Sequence, residues 1–338
     1  MKFSNVGIVG LAHVEAPNRV PSEQFEARLA PTFERLGIPP GMLVNVAGIT
    51  ARRWWDEGVQ PSDAATLAAR AVLEKSGVDS GRLGVLINTS VCRDYIEPST
   101  ACLVHSKLKL PAHCLNFDVG NACLAFMNAM DLAGMMIESG QVEYALVVDG
   151  ESSRFVQEQT LQRLAQDSTD MAQFRAEFAT LTLGSGSVAM LLGRLDQHAD
   201  RPSYKGSVQV AASEWSHLCR GQVDFMQTDT KTLLAEGVKL ALKTYTLAAD
   251  VFEWTSDCLD HLVLHQVSAV HTRKLCETLG LDADRALLTF PECGNIGPAS
   301  VPYTLSTLNS LGSIKRGQRI GLMGIGSGLN CAMAEIEW

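Results

Sequence analysis

The chain has 338 residues, 46% of them hydrophobic and 19% charged, which is enough for two domains or one large layered one around a sizeable core. A net charge of −9, with no basic run longer than a pair such as Arg52-Arg53, excludes a nucleic-acid-binding face, so local arginines must hold any anionic ligand. Nine scattered cysteines, without a Cys-x-x-Cys pair, argue against a disulfide framework and a zinc site. No segment has the length of a membrane span or the layout of a signal peptide, and a reducing, cytoplasmic setting is expected.

Residues 6–9 are predicted as a first strand and 22–36 as an amphipathic helix. The segment 41–58 holds a basic, aromatic loop around Arg52-Arg53-Trp54-Trp55. Ser62 and Asp63 cap an alanine-rich helix that runs to residue 76, and 84–89 is a continuous apolar strand. A loop at 94–100 leads into a short helix, 101–108. Residues 114–118 read as a short buried strand that Gly120 and Asn121 break. With Asn121 as N-cap, the helix 124–139 has almost no polar stripe and belongs in the middle of the protein. Cys123 then falls in the first turn of a buried helix, where free N–H groups and the macrodipole stabilise a thiolate. A cysteine on a sharp turn at a helix start is disposed to act as a nucleophile. Further on, 144–149 is an apolar strand, 152–180 a polar helical insertion, and 181–192 a strand, a Gly-Ser-Gly turn and a second strand.

The second half repeats this plan. It has a long helix at 233–249, a strand at 261–265, a helix at 270–279 and a strand at 286–290. The run Gly294-Asn295-Ile296-Gly297-Pro298-Ala299-Ser300 follows, then a helix at 301–311, a strand at 319–323, and a last strand after Gly324–Gly328. The spacing from Asn121 to Gly150 equals that from Asn295 to Gly324, and Gly184-Ser185-Gly186 matches Gly326-Ser327-Gly328. This is a duplicated domain, with halves 1–198 and 199–338 joined by the polar linker 196–202. Two such α/β halves form a layered sandwich.

Duplication predicts that the turns before the two central helices meet at a pseudo-twofold axis, which brings Cys123 near Asn295. His265 closes a second-half strand where Asn88 closes the matching first-half strand. Together these side chains supply a nucleophile, a proton handler and a neutral donor. Gly324–Gly328 lacks the sixth-position glycine of a nucleotide loop and precedes a strand. Close backbone approach explains it better, with an N–H near Ser327 joining that of Cys123 as an oxyanion hole.

In this order, Asn121-Ala122-Cys123, His265-Gln266-Val267, Gly294–Ser300 and Gly326-Ser327-Gly328 resemble the ketoacyl synthase III branch of the thiolase superfamily over essentially the whole chain. The resemblance implies a five-layered αβαβα fold, a homodimer, and acyl transfer from coenzyme A thioesters onto Cys123, with no cofactor and no metal. The branch's tryptophan and arginine clamp for coenzyme A is absent, and Met42 and Val46 lie near those places. Arg52, Arg53 and Arg220 are the candidate contacts instead.

In the loop that this family inserts into the partner subunit's site, the chain reads Ile96-Glu97-Pro98-Ser99. It is similar there to the enzymes of bacterial olefin biosynthesis that condense two long-chain acyl-CoA molecules without decarboxylation. Such a reaction needs a base for a weakly acidic α-proton. Thiolases use a second cysteine, and the matching place here, Met323-Gly324-Ile325-Gly326, has none. Glu97, donated across the dimer, fills the role, and later enzymes of the olefin pathway are implied as partners. The alternative is a decarboxylating 3-ketoacyl synthase III that uses a malonyl thioester.

Overall fold

The computed structural model describes residues 1–255 and 257–338. Nine strands make one continuous folded sheet: β1 (Val6–Glu15), β2 (Leu83–Asn88), β3 (Leu115–Asp118), β4 (Tyr144–Glu151), β5 (Gly186–Arg194), β6 (Ser203–Ala211), β7 (His261–Leu264), β8 (Arg319–Gly326) and β9 (Asn330–Glu337). Their spatial order is β7-β8-β9-β6-β1-β5-β4-β2-β3. Within the first half, the strands in chain order therefore stand 3-2-4-5-1. The second half has the same order, its third place held by a single bridge from Ala286 to Leu262. Strand directions repeat too, because β2 with β3 and β4, and β7 with β8, pair parallel while the rest pair antiparallel. The halves join edge to edge where Gly7 of β1 meets Ser203 of β6.

Helices α1 (Pro61–Ser76), α2 (Thr100–Leu108), α3 (Ala125–Glu138), α4 (Thr230–Phe252), α5 (Ala269–Leu279) and α6 (Ser300–Ser310) complete five layers. The first-half strands pack outward on α1 and α2, the second-half strands outward on α4 and α5, and α3 with α6 lies between. Val85, Ile87, Ala145 and Val147 face the middle layer, whereas Leu86, Leu146 and Val148 face α1. Both faces of these strands are covered, which is why they read as unbroken apolar runs. On α3, Phe126, Met127, Met130 and Ile137 are buried, each contributing about 1.5–3 kcal/mol. The insertion folds as Arg154–Leu164 and Met171–Glu177 and packs through Leu161, Leu164 and Phe174 on Phe25, Leu29 and Phe33 near the N-terminus.

The sequence expectations need correction in several places. The segment 22–36 is two helices, Ser22–Arg28 and Ala30–Leu36, because Pro31 lacks an N–H and can stand only in a first turn. Gln60, not Ser62, caps α1, in a reciprocal capping box with Asp63. Between a 3-10 turn, Phe178–Thr182, and β5, the strand expected at 181–185 is reduced to a single parallel bridge from Leu183 to Asn295. The expected strand 286–290 shrinks to the Ala286 bridge. Strand β3 is an edge strand rather than a buried one, with Leu115 55% exposed. Among the described residues, no helix is long and apolar enough to cross a membrane.

Candidate active site

Cys123 stands on a tight turn between β3 and α3. The N–H of Leu124 donates to the Asn121 carbonyl at 3.0 Å and that of Ala125 to the Ala122 carbonyl at 3.1 Å. Ala122 is in the left-handed region, at φ +44°, which costs a non-glycine residue about 1–2 kcal/mol. Asn121 is not the N-cap; Leu124 is, and α3 starts at Ala125. The Asn121 amide instead clamps the turn, donating to Asn128 Oδ1 at 2.7 Å and accepting from Asn330 Nδ2 at 3.2 Å.

Strand β8 ties this turn to His265. A Cβ on Gly326 would lie 3.2 Å from the Asn121 carbonyl and 3.4 Å from the Cys123 nitrogen, so the backbones meet there as the glycines required. On the same strand, Gly324 lies against Leu124 and Met127, and the Met323 carbonyl accepts the His265 N–H at 2.8 Å. His265 thus directly follows β7, beside the strand whose last residues touch the nucleophile turn.

Asn295 is fixed from the other side. Its backbone N–H donates to Thr182 at 2.8 Å, and its carbonyl accepts from Gly184 at 2.9 Å. Gly184 admits no side chain, since a Cβ would lie 1.7 Å from the Cys293 carbonyl oxygen. The Asn295 Oδ1 accepts the Gly297 N–H at 3.0 Å, which leaves the Nδ2 amine as the group available to a ligand.

The electrostatics depart from expectation. The Cys123 thiol is pushed up to about 12, first by burial and then by Cys219, Glu151 and Asp149. A thiolate stabilised by the helix was expected, but Cys123 precedes α3 by two residues, and burial outweighs a dipole it does not share. His265 is held down to about 3 by burial and then by His271, so it is neutral at pH 7. At rest, Cys123 is therefore a thiol and His265 a neutral imidazole.

Sequence reasoning missed two groups. Asp149 and Glu151 end β4 two residues apart, hence on one face of the strand. Glu151 accepts the Val91 N–H at 2.6 Å, lies beside Gly297 and raises the Cys123 thiol by its charge. Burial raises both carboxyls, and the charge of Glu151 raises Asp149 further. Two acids closing an apolar strand were the available signal. The second group is Gln266, fully buried, whose amide holds the Leu287–Phe290 loop; its place beside His265 was visible, but its partners were not.

The other expected site residues have different surroundings. Glu97 is exposed, in a loop whose Val91, Tyr95 and Ile96 are also exposed, Ile96 at 91%. Asp118 ties the end of that loop to β3 by accepting the N–H groups of Thr100 and Ala101 at 3.0 and 2.8 Å. Ser327 follows Gly326 in the turn between β8 and β9. Arg52 is a correction, because it is fully buried and its guanidinium donates to Ser22 and to the Leu181 carbonyl and covers the Phe25 ring. No face of it is left for a phosphate. Arg53 pairs with Glu15 at 2.9 Å. Arg220 is exposed on the hairpin of Cys219–Gly221 and Met226–Thr228, next to the Cys219 that acts on Cys123. Among the described residues, no cluster of metal-ligating side chains occurs.

A duplicated five-layered sandwich with a cysteine on the turn before its central helix defines a thiolase-fold condensing enzyme. The family of 3-oxoacyl-(acyl-carrier-protein) synthase III matches residues 117–201, and its C-terminal counterpart matches 250–338. An acyl-CoA:acyl-CoA alkyltransferase of Xanthomonas campestris is 52% identical over 338 residues, the whole of both chains. One of Shewanella oneidensis is 36% identical, again over the whole of both. The crystal structure of cerulenin-bound Xanthomonas campestris OleA superposes with a TM-score of 0.99 at 52% identity, covering 100% of this chain and 98% of that one. A cysteine-to-serine variant of OleA with bound lauric acid and lauroyl-CoA gives 0.98 at 51%, covering 99% and 100%. The chain belongs to the ketoacyl synthase III-like branch of the thiolase superfamily, in the group that contains OleA.

Proposed function

We propose that this protein is an acyltransferase that joins two long-chain fatty acyl-CoA molecules by non-decarboxylative Claisen condensation, giving a 2-alkyl-3-ketoacyl product. The observation that carries this reading is identity over the full chain to two acyl-CoA:acyl-CoA alkyltransferases. The solved OleA variants add support. They alter one cysteine, one glutamate and one histidine, at the mutual spacing of Cys123, Glu97 and His265 here.

In this mechanism the Cys123 sulfur attacks the first thioester, and its proton leaves with the coenzyme A thiol. Glu97 of a second subunit takes the α-proton of the second acyl-CoA. His265 and Asn295 donate hydrogen bonds to the enolate oxygen. The α-carbon then attacks the acyl-enzyme carbonyl while the N–H groups of Cys123 and Ser327 hold the oxyanion. The carbon–sulfur bond breaks, and the Cys123 thiolate takes the proton that Glu97 removed from the α-carbon, which returns Glu97 to its carboxylate. A neutral His265 suits this role, because it donates to an enolate without placing a full charge in an apolar site.

The homodimer is part of the proposal. Edge strand β3 and the apolar side chains around Glu97 have the character of a surface that another subunit covers. So are the catalytic halves 1–198 and 199–338, a coenzyme A contact at Arg220 with Arg53 as a second candidate, a cytoplasmic location, and consumption of the product by later olefin-pathway enzymes. No cofactor is needed beyond the thioester substrates.

The match to 3-oxoacyl synthase III favours one other reading, decarboxylative condensation with a malonyl thioester. Purified protein given a single long-chain acyl-CoA and no malonyl donor decides between them. Thiol release together with a 2-alkyl-3-keto acid, or the ketone it decarboxylates to, is expected. Fatty acid alone, with condensation only after malonyl thioester is added, would move the chain to the decarboxylating reading.

A further inference from the structure

His265 has a neighbour for which the mechanism above has no role. His271 lies in the first turn of α5, where Ser268 Oγ accepts its backbone N–H at 3.2 Å. His265 and His271 line one small cavity whose other walls, Ala241, Leu275, Met323 and Met333 among them, are apolar. The remaining titratable group of that cavity is Cys331, whose thiol burial pushes up to about 12. Nδ1 of each imidazole is buried without a hydrogen-bond partner among the described residues.

Two unpartnered ring nitrogens in one apolar cavity require an account, since buried polar groups in folded proteins are almost always paired. Burial holds His271 down to about 4, so both rings are neutral at pH 7. A neutral imidazole has one N–H and one acceptor nitrogen. To donate from Nε2 to an enolate oxygen, His265 must carry its proton there and leave Nδ1 as the acceptor. In a metal or catalytic site the partner of the far nitrogen sets this tautomer.

Resting on the condensation reading above, we propose that His271 is a positioning residue for His265. Through one water molecule in the shared cavity it supplies the hydrogen bond that His265 Nδ1 accepts, and so keeps the proton on Nε2. The free space is of the order of a single water, which would have the two polar partners it needs. His271 Nδ1–H donates to the water, and the water donates to His265 Nδ1. No proton is transferred. The tautomer is held, and only the enolate-forming half of the reaction depends on it.

The test compares wild type with His271→Phe, which fills the space without a donor, and His271→Gln, which keeps one. His271→Leu replaces the phenylalanine variant if that does not fold. Single-turnover coenzyme A release reads acylation of Cys123, and product formation reads condensation. In the apolar variant condensation kcat should fall about 10- to 100-fold, the size typical of losing a supporting partner. Its acylation and its KM should stay within about twofold of wild type, and the glutamine variant should recover most of the rate. An apolar variant that condenses at the wild-type rate overturns the proposal. So does equal loss of acylation and condensation in both variants, which marks a structural role. Wild type that releases only fatty acid in the same assay fails the condensation reading itself, a result distinct from either.

Discussion

Gln266→Met tests how the site is held together. The Gln266 amide is fully buried. It donates to the Leu287 carbonyl at 2.7 Å and accepts the N–H groups of Thr289 and Phe290 at 2.8 and 3.2 Å. Methionine keeps the length and apolar volume but removes these bonds and the longer one from Thr289 Oγ1 at 3.4 Å, stranding one carbonyl and two N–H groups, while the Thr289 hydroxyl keeps Thr304. At about 1–3 kcal/mol per stranded buried group the simple sum is about 3–9 kcal/mol. The three groups share one side chain and their loop can relax together, so we expect about 3–5 kcal/mol. That is a large part of a typical total of about 5–15 kcal/mol, yet it leaves a folded population. Urea unfolding at fixed protein concentration should show a lower midpoint with an unchanged slope. Because this loop continues to Asn295, condensation should fall further than acylation of Cys123. A loss of stability under about 1 kcal/mol would refute the reasoning. It would mean that the Thr289–Thr304 contact and the bonds of Asn295 to Thr182 and Gly184 hold the loop without Gln266.

Three further outcomes follow from the geometry. Glu97→Gln should still form acyl-Cys123 with one equivalent of coenzyme A released, while condensation drops by about 100-fold or more; condensation near the wild-type rate removes Glu97 as the base. Cys123, with its thiol raised to about 12, should react with iodoacetamide at pH 7.5 more slowly than a small free thiol and should speed up through pH 9 without a plateau. Rapid alkylation at pH 7 would contradict the thiol–imidazole resting state. The last outcome concerns acid stability. The folded values of His265 and His271 lie below 6.5, so the unfolded chain binds protons first, and their contribution is full above about pH 6.5 and shrinks as pH falls towards 4. Asp149 and Glu151 are shifted upward and act in the opposite sense, so the histidine contribution is read as a difference. Between those pH values, wild type should lose stability relative to His271→Gln with a slope approaching about 1.4 kcal/mol per pH unit, and parallel curves would refute the shift.

Much of this protein was legible in its sequence because the relevant forces act over short spans. Apolar runs at 84–89 and 144–149 and the unbroken apolar helix after Cys123 announced strands and a helix with no face to water, whatever their neighbours. The repeated spacing of Asn121 and Asn295 to their glycines announced the duplication, and the structure repeats the strand order 3-2-4-5-1. The glycines of β8 announced close approach, and the Asn121 carbonyl and Cys123 nitrogen are what they approach. Local signals failed where a distant partner decides. Pro31 divided a helix that periodicity ran together, and 286–290 stayed a bridge because its neighbours at the sheet edge, not its propensity, set the pairing. The family resemblance made Arg52 a candidate ligand contact, but only packing shows that its guanidinium is turned to Ser22 and Leu181. The state of the site belongs wholly to the tertiary structure. Burial sets whether Cys123 is a thiol and His265 is neutral, and the meeting of distant segments set the Gln266 brace and the common cavity of His265 and His271. Burial is a property of what several chain segments exclude together, which no single segment of sequence contains.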